Sequence, residues 1–488
     1  MSEARHFALV VLLAAAVGLV AVLSNRLTQR LKVPVPVLVL VASAIAVKAV
    51  PSLHAPPEKT VEQILTVALI CILFDGGLHI GATRFRTAAL PIGLIGVFGT
   101  FLTAAGGAAL LHFGFGLDWF VALLVATAIA PTDPAVVFSV LGQREIAGRS
   151  GTVLEGESGA NDPVGIALMT SLVAAGELSM KAFGDVGLQF LLQMVVGAVI
   201  GLVGGRALLW FMRRVSLPNE GLYALRSLAS AAVLYGLATL AHGSGFLAVF
   251  VAGIVIGDER APYKREIERF HSALASLAEI VAFVVLGLTV DLEVVSRANV
   301  LVPGLVLAVV VAFVVRPLFV GLCLLPAKLR RNESAFILFA GLKGAVPLLL
   351  GEMILGAHVP EATRLYGIVA VVVVFSVLVQ GSLTPAAARL LKVPMHSVEP
   401  TPFALGVRLR DEPQGAYRFV VRDGAPAAGV EIGALDVLPA DAWISLVVRA
   451  GTLVNVRGST VLEPGDEVLV LGDDEIDADA LRPLFERD

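Results

Sequence analysis

The chain is poor in the residues that hold small secreted or metal-stapled folds together. Its two cysteines, Cys71 and Cys323, lie far apart inside separate apolar runs of a 488-residue sequence. That excludes a disulfide framework and a cysteine-built metal cluster. Charge is scarce too: Asp, Glu, Lys and Arg together make up 16% of the residues and sum to a net −4. A nucleic-acid polymer is therefore a poor candidate partner. No nucleophile–base pair or zinc motif stands out, so an intramembrane enzyme finds no support, and no cofactor is expected.

What the chain has in excess is apolar sequence. It is 57% hydrophobic with a mean hydropathy of +0.87, which places most of it in lipid. Apolar runs of sufficient length give roughly thirteen spans. Their centres fall near Ala15, Leu40, Ile70, Gly99, Thr127, Ile166, Gly197, Val233, Phe250, Phe283, Val310, Lys343 and Val373. The first run, Phe7 to Leu23, lacks a convincing signal-peptide cleavage site and leads straight into further spans, so it reads as a helix. The shortest runs from Ser244 to Gly257. Loops after odd-numbered spans carry roughly sixteen Lys and Arg against about six on the other side, and the segment after the last span adds Arg389 and Lys392. This puts the N-terminus outside and the C-terminus in the cytoplasm.

Composition changes abruptly near Met395. Residues 1–394 read as the transmembrane domain, 395–401 as a connector leading into Pro400-Thr401-Pro402, and 402–488 as a soluble domain. Short β-rich runs there (YRFVV, WISLVVRAG, TLVNVRG, EVLVLG) are separated by turn signals such as Pro464-Gly465-Asp466. The fold class is thus an all-α polytopic membrane protein with a small cytoplasmic α+β domain. A folding appendage is the plain reading of this tail; a regulatory domain fits better.

Charged and breaking residues inside the spans carry the functional signal, because a charge at mid-membrane costs at least about 2.5–3.5 kcal/mol. Span 5 contains Ala130-Pro131-Thr132-Asp133-Pro134 and span 12 contains Gly341-Leu342-Lys343-Gly344-Ala345-Val346-Pro347. Both combine helix breakers with a buried charge, the pattern of paired broken helices in transporters. Asp133 suits a positive half-helix end and Lys343 a negative one. Two ordinary proline kinks would explain the prolines without the charges.

Span 6 carries Gly156-Glu157-Ser158-Gly159-Ala160-Asn161-Asp162-Pro163. Ser158 and Asp162 are four apart and share a helix face. With carbonyls near Thr132 they supply an all-oxygen nest for a dehydrated monovalent cation; a hard divalent ion would want more carboxylates. Burial favours the neutral form of a carboxyl and a bound cation favours the ionised form. One acid in such a place exchanges a proton for a cation. Asn161 braces without adding a second exchangeable proton. Arg316, before Pro317, needs a partner, and Glu157 is the natural one. Asp75 either lines the cytoplasmic funnel or the cation site, or marks a helix end. Glu279 pairs with Lys343 or is a funnel acid; Glu352 and His79 read as boundary residues.

At these residues the chain resembles the NhaP-type antiporters of the monovalent cation:proton antiporter family. FDGGL, PTDPAVV, GESGANDPVGIAL, RPL and GLKGAVP occur in order and at family-like spacing over most of residues 7–392. The resemblance implies inverted repeats with two crossed broken helices, a dimerisation domain, a homodimer and elevator-like alternating access. It makes Asp162 the cation- and proton-binding acid, Ser158 and the Thr132 backbone its co-ligands, Asn161 the bracing amide and Glu157 the partner of a core arginine. Asn-Asp at this place goes with electroneutral one-for-one exchange. Lys343 stands where the family usually has arginine, which favours Arg316 as the partner of Glu157. The tail resembles the TrkA C-terminal domain, so the whole looks like the CvrA-type potassium/proton antiporters. That likeness implies potassium over sodium and a small ligand, such as a nucleotide, at the tail. Those antiporters carry a further cytoplasmic domain, and regulation through it is expected to be absent here. A tail-gated cation channel would need repeated carbonyl loops that the sequence lacks. A sensor that has lost transport would not need the 155–163 set.

Overall fold

The computed structural model describes residues 35–49, 56–141, 144–146, 149–177, 180–259, 263–357, 359–397, 415–435, 438, 442–472 and 478–486. The chain divides into two compact units, Met1–Glu399 and Pro400–Asp488. The first expected span, near Ala15, lies outside the described residues. Each of the other span centres falls on a helix or in a helix break.

Six described helices of the first unit are long and apolar enough to cross a membrane; shorter apolar helices include Trp119–Ala128, Gly245–Gly257 and Ala345–Gly356. Backbone groups in lipid must be satisfied within the protein, so a helical bundle is the natural outcome. The continuous helix Glu58–Gly93 is broken at Gly81, whose backbone (φ 65°, ψ 164°) is one that glycine adopts at little cost. Asp258 seals this break by accepting a hydrogen bond from the Thr83 amide.

Close helix contact explains the short span. Gly77 and Gly81 face Gly253 and Gly257: a Cβ on Gly253 would stand 2.6 Å from the Phe74 carbonyl oxygen, and one on Gly257 2.6 Å from that of Leu78. Two small-residue pairs at four-residue spacing let the backbones touch, which is how helices associate where no hydrophobic drive separates them from lipid. Gly245–Gly257 is capped by Ser244, whose hydroxyl accepts the Leu247 amide at 3.2 Å.

Three stretches, Leu94–Gly99, Val311–Val320 and Ser376–Gly381, are π-helical inside longer helices. The last two carry Arg316 and Gln380. A strand β1 (Arg144–Ile146) pairs antiparallel with β2 (Met395–Ser397). Residues 395–397, expected as connector, therefore belong to the first unit: their backbone finds partners across the bundle, which the local composition did not show.

The second unit is a four-stranded antiparallel sheet in the order β3-β6-β4-β5, with β3 Gly415–Val420, β4 Ala442–Arg449, β5 Thr452–Val454 and β6 Glu467–Gly472. Alternation puts Val468 and Val470 inside, against Phe419, Ile444, Val447 and the helix Ala478–Phe485. Asp466, fully buried, accepts from Nε and Nη2 of Arg449, each at 2.8 Å, and from the Glu463 amide at 2.8 Å. Burial alone would raise the Asp466 pKa; the Arg449 guanidinium and the Glu463 amide outweigh it and hold the carboxyl below its usual range. A group depressed in the folded state stabilises above its unfolded pKa and loses that contribution as pH falls through the folded value. Replacing Arg449 with Ala should therefore speed hydrogen exchange over 415–472 of the whole protein at neutral pH. The difference from wild type should shrink as the pH is lowered through about 4 and below.

Candidate functional site

The two interruptions meet. Trp119–Ala128 ends ahead of an extended Pro131-Thr132-Asp133, and Pro134–Leu141 resumes the helix. Arg331–Phe339 ends ahead of Gly341–Gly344, and Ala345–Gly356 follows. The Asp133 amide donates to the Leu342 carbonyl at 2.8 Å, tying one break to the other.

Each broken end is matched by a charge of the right sign. Lys343 Nζ donates to the carbonyls of Ala130 (3.0 Å) and Pro131 (3.1 Å), at the C-terminal end of the first half-helix. Arg316 donates from Nε to the Leu338 carbonyl (3.0 Å) and from Nη2 to that of Ile337 (3.2 Å), at the C-terminal end of the other. Asp133 accepts the Ala135 amide at 2.9 Å and also the Ala345 amide, so it serves the N-terminal ends of both second halves. Half-helix ends carry partial charges of about half a unit, positive at N-termini and negative at C-termini, and these three side chains complement them.

Glu157 meets Arg316 with its Oε1 2.7 Å from Nη1 and its Oε2 2.9 Å from Nη2, a bidentate pair with side chains 2% and 3% exposed. One turn along the same helix, Arg149–Ala175, stand Asn161 and Asp162. Asn161 Nδ2 donates to Thr132 Oγ1 at 2.8 Å, and the Thr132 amide donates to Asn161 Oδ1 at 3.3 Å. This double bridge fixes the Thr132 peptide against the helix that carries the acid. Asp162 is buried and hydrogen-bonded to Ser158. Among the described residues no basic side chain pairs with it. Glu157, Arg316, Asp133 and Lys343 are each committed to one another or to a half-helix end, whereas Asp162 is not.

Asp75 lies apart from this group. Its Oδ1 accepts from Ser272 at 3.1 Å and is 3.3 Å from His79 Nδ1, a cluster between Glu58–Gly93 and Lys264–Thr289. Glu279 does not pair with Lys343, whose ammonium is taken by the two carbonyls; one of its own oxygens is buried without a hydrogen-bond partner. Glu352, expected at a boundary, is buried at 5% exposure.

Two contributors were not singled out in the sequence. Ser376 accepts the Lys343 amide at 3.0 Å and donates to Gln380 Oε1 at 2.8 Å, and Gln380 Nε2 donates to the Phe339 carbonyl at 3.3 Å. The relay satisfies backbone on both sides of the second break. Their signal was two polar side chains four apart in a valine-rich run, and the π-helical turn beneath them has no local sequence mark.

Crossed broken helices, capped by fixed charges beside a buried acid with no basic partner, define a secondary-transporter core. The comparisons make the class specific. Residues 13–390 match the family described as Sodium/hydrogen exchanger, transmembrane, and residues 416–485 match the TrkA-C domain. The K(+)/H(+) antiporter NhaP2 of Shewanella oneidensis is 32% identical over 97% of this chain and 83% of its own length. The K(+)/H(+) antiporter NhaP of Alkalimonas amylolytica is 30% identical over 95% and 81%. A Na(+)/H(+) antiporter NhaP of Pseudomonas aeruginosa is 27% identical over 67% and 81%. The fold matches that of the sodium proton antiporter MjNhaP1 from Methanocaldococcus jannaschii, with a TM-score of 0.64 and 21% identity over 76% of this chain and 99% of that one. The chain belongs to the transmembrane sodium/hydrogen exchanger family, with a TrkA-C domain behind it.

Removing one partner of a buried ion pair leaves the other charge stranded, at a cost of about 3–5 kcal/mol. Arg316→Ala should therefore lower the thermal unfolding midpoint of the detergent-solubilised protein well below that of a surface control such as Arg213→Ala.

Proposed function

We propose that the protein is a secondary active antiporter that exchanges potassium for protons across a bacterial inner membrane by alternating access. The observation that carries this reading is Asp162: a buried acid beside Ser158 and the Asn161-braced Thr132 peptide, with no basic partner. Protonated, it is a neutral group that buries at little cost; ionised, it needs a cation beside it. Asp162, the Ser158 hydroxyl and the Thr132 backbone are the cation ligands of this reading, with Asn161 as the brace. Asp75 is an inner-funnel group rather than a ligand, given its Ser272 and His79 partners.

Glu157 and Arg316 are structural, and so are Asp133 and Lys343, which stay bound to half-helix ends through the cycle. With Asp162 as the one acid at the cation site, one proton is carried for one monovalent cation, an exchange insensitive to membrane voltage. The choice of potassium rests on the relatives named as K(+)/H(+) antiporters and on the TrkA-C tail they suggest; sodium is the competing cargo. The protein acts as a homodimer with the N-terminus outside and the tail in the cytoplasm. There the tail reads a small ligand, such as a nucleotide, and adjusts the exchange rate.

Proton flux in proteoliposomes, evoked by K⁺ or by Na⁺ with and without an imposed potential, tests the reading. Wild type should respond to K⁺ regardless of voltage, and Asp162→Asn should fold and give no exchange. Vigorous exchange by Asp162→Asn would remove Asp162 from the site; a sodium preference would keep the mechanism and change the cargo. Voltage-steered flux would require a second transported proton.

Removing residues 402–488 should change the pH or potassium level at which exchange switches on, and leave the K⁺-to-Na⁺ ratio intact. A changed ratio in that assay would contradict a modular tail.

A further inference from the structure

Glu352 sits on Ala345–Gly356, the half-helix that follows the second break, yet the Asp162 site makes no use of it. It is 5% exposed. Its Oε2 is buried without a hydrogen-bond partner, while the carboxyl shares a hydrogen bond with the Thr289 side chain. Thr289 Oγ1 in turn lies 2.9 Å from the Leu286 carbonyl oxygen and 2.7 Å from the Tyr366 hydroxyl.

Each hydroxyl here owns one proton and two lone pairs, so the protons can be counted. With Glu352 ionised, Thr289 must turn its proton to the carboxylate, leaving the Leu286 carbonyl only the Tyr366 hydroxyl at 3.5 Å, and a buried charge rests on a single donor. With Glu352 protonated, the acid donates to Thr289, Thr289 donates to the Leu286 carbonyl, and Tyr366 donates to the remaining lone pair of Thr289. The second arrangement uses every proton, and leaves unpaired only a neutral carbonyl-type oxygen.

The surroundings agree. Glu58 lies against Gly356, one turn beyond, and acts on Glu352 as a like charge; Tyr366 faces it from Ala362–Phe375. Trp119–Ala128 has no titratable residue. The acids of Arg149–Ala175 nearest the break belong to the Asp162 group, and Glu279 of Lys264–Thr289 faces Asp133.

We propose that Glu352 is a second proton-binding site, whose proton closes a latch from the broken helix through Thr289 to Tyr366. Loss of the proton turns the Thr289 hydroxyl onto the carboxylate and breaks its bond to Leu286, so the contact of Ala345–Gly356 with Lys264–Thr289 is rearranged around a buried charge held by one donor. Its effect on transport rests on the antiporter reading; the bound proton does not.

Two readouts on the full-length protein in proteoliposomes separate these. Infrared titration of wild type, Glu352→Gln and Asp162→Asn reads protonated carboxyl groups directly. At neutral pH the wild-type minus Glu352→Gln spectrum should show a protonated-carboxyl band, also present in Asp162→Asn minus the double variant. Cation-evoked flux should retain its maximum in Glu352→Gln, with its pH of half-maximal rate moved by about one unit. An absent band would overturn the proton site, and an unmoved pH profile would overturn the latch. A wild type without any exchange would sink the antiporter reading while the infrared result still decides the site. If Glu352→Gln does not fold, Thr289→Val removes the acceptor of the proton and must shift the frequency of the band; an unshifted band overturns the proposal.

Discussion

A broken helix inside a membrane leaves backbone carbonyls and amides with no water to turn to, and the rest of this core is organised around satisfying them. Each unsatisfied group in that setting costs several kcal/mol. The chain answers with fixed charges: Lys343 and Arg316 on the C-terminal ends, and Asp133 on the N-terminal ends. Ser376 and Gln380 complete the second break. These charges are spent on backbone and on Glu157, and among the described residues none of them forms an ion pair with Asp162.

That division of labour links architecture to chemistry. Arg316 both closes a half-helix and holds Glu157 in a bidentate pair, which on the proposed reading keeps Glu157 out of the exchange. Asn161 holds Thr132 from two sides and thereby positions the first break against the acid-bearing helix. Since Asn161 is an amide, it does so without a proton of its own to trade. On the same reading, Asp162 is the acid of this group whose charge is balanced by something that arrives and leaves.

Much of this was legible in the sequence because it is expensive. Prolines and charges in apolar runs cannot be accidental in lipid, so the two breaks and the 155–163 stretch could be placed by residue, as could the tail strands from their alternation. What sequence could not give was which charge meets which. Lys343 had Glu279 as a candidate partner and took two carbonyls instead, because a freed half-helix end leaves no mark in a sequence pattern. Glu352 read as a boundary residue from its place near a span end, but the half-helix tilts it into Thr289 and Tyr366. The π-helical turns and the β1–β2 pairing depend on distant partners and have no local signature. Gly253 and Gly257 show the converse: a span too short by hydropathy is explained by backbone contact with Gly77 and Gly81.

The account stands on competition between a proton and a cation for Asp162. Calorimetric titration of K⁺ into the purified protein, repeated in buffers of different protonation enthalpy, counts protons released per cation bound. The account predicts about one proton per cation in wild type, and neither release nor binding in Asp162→Asn. Cation binding without proton release, or with release that survives Asp162→Asn, would contradict it.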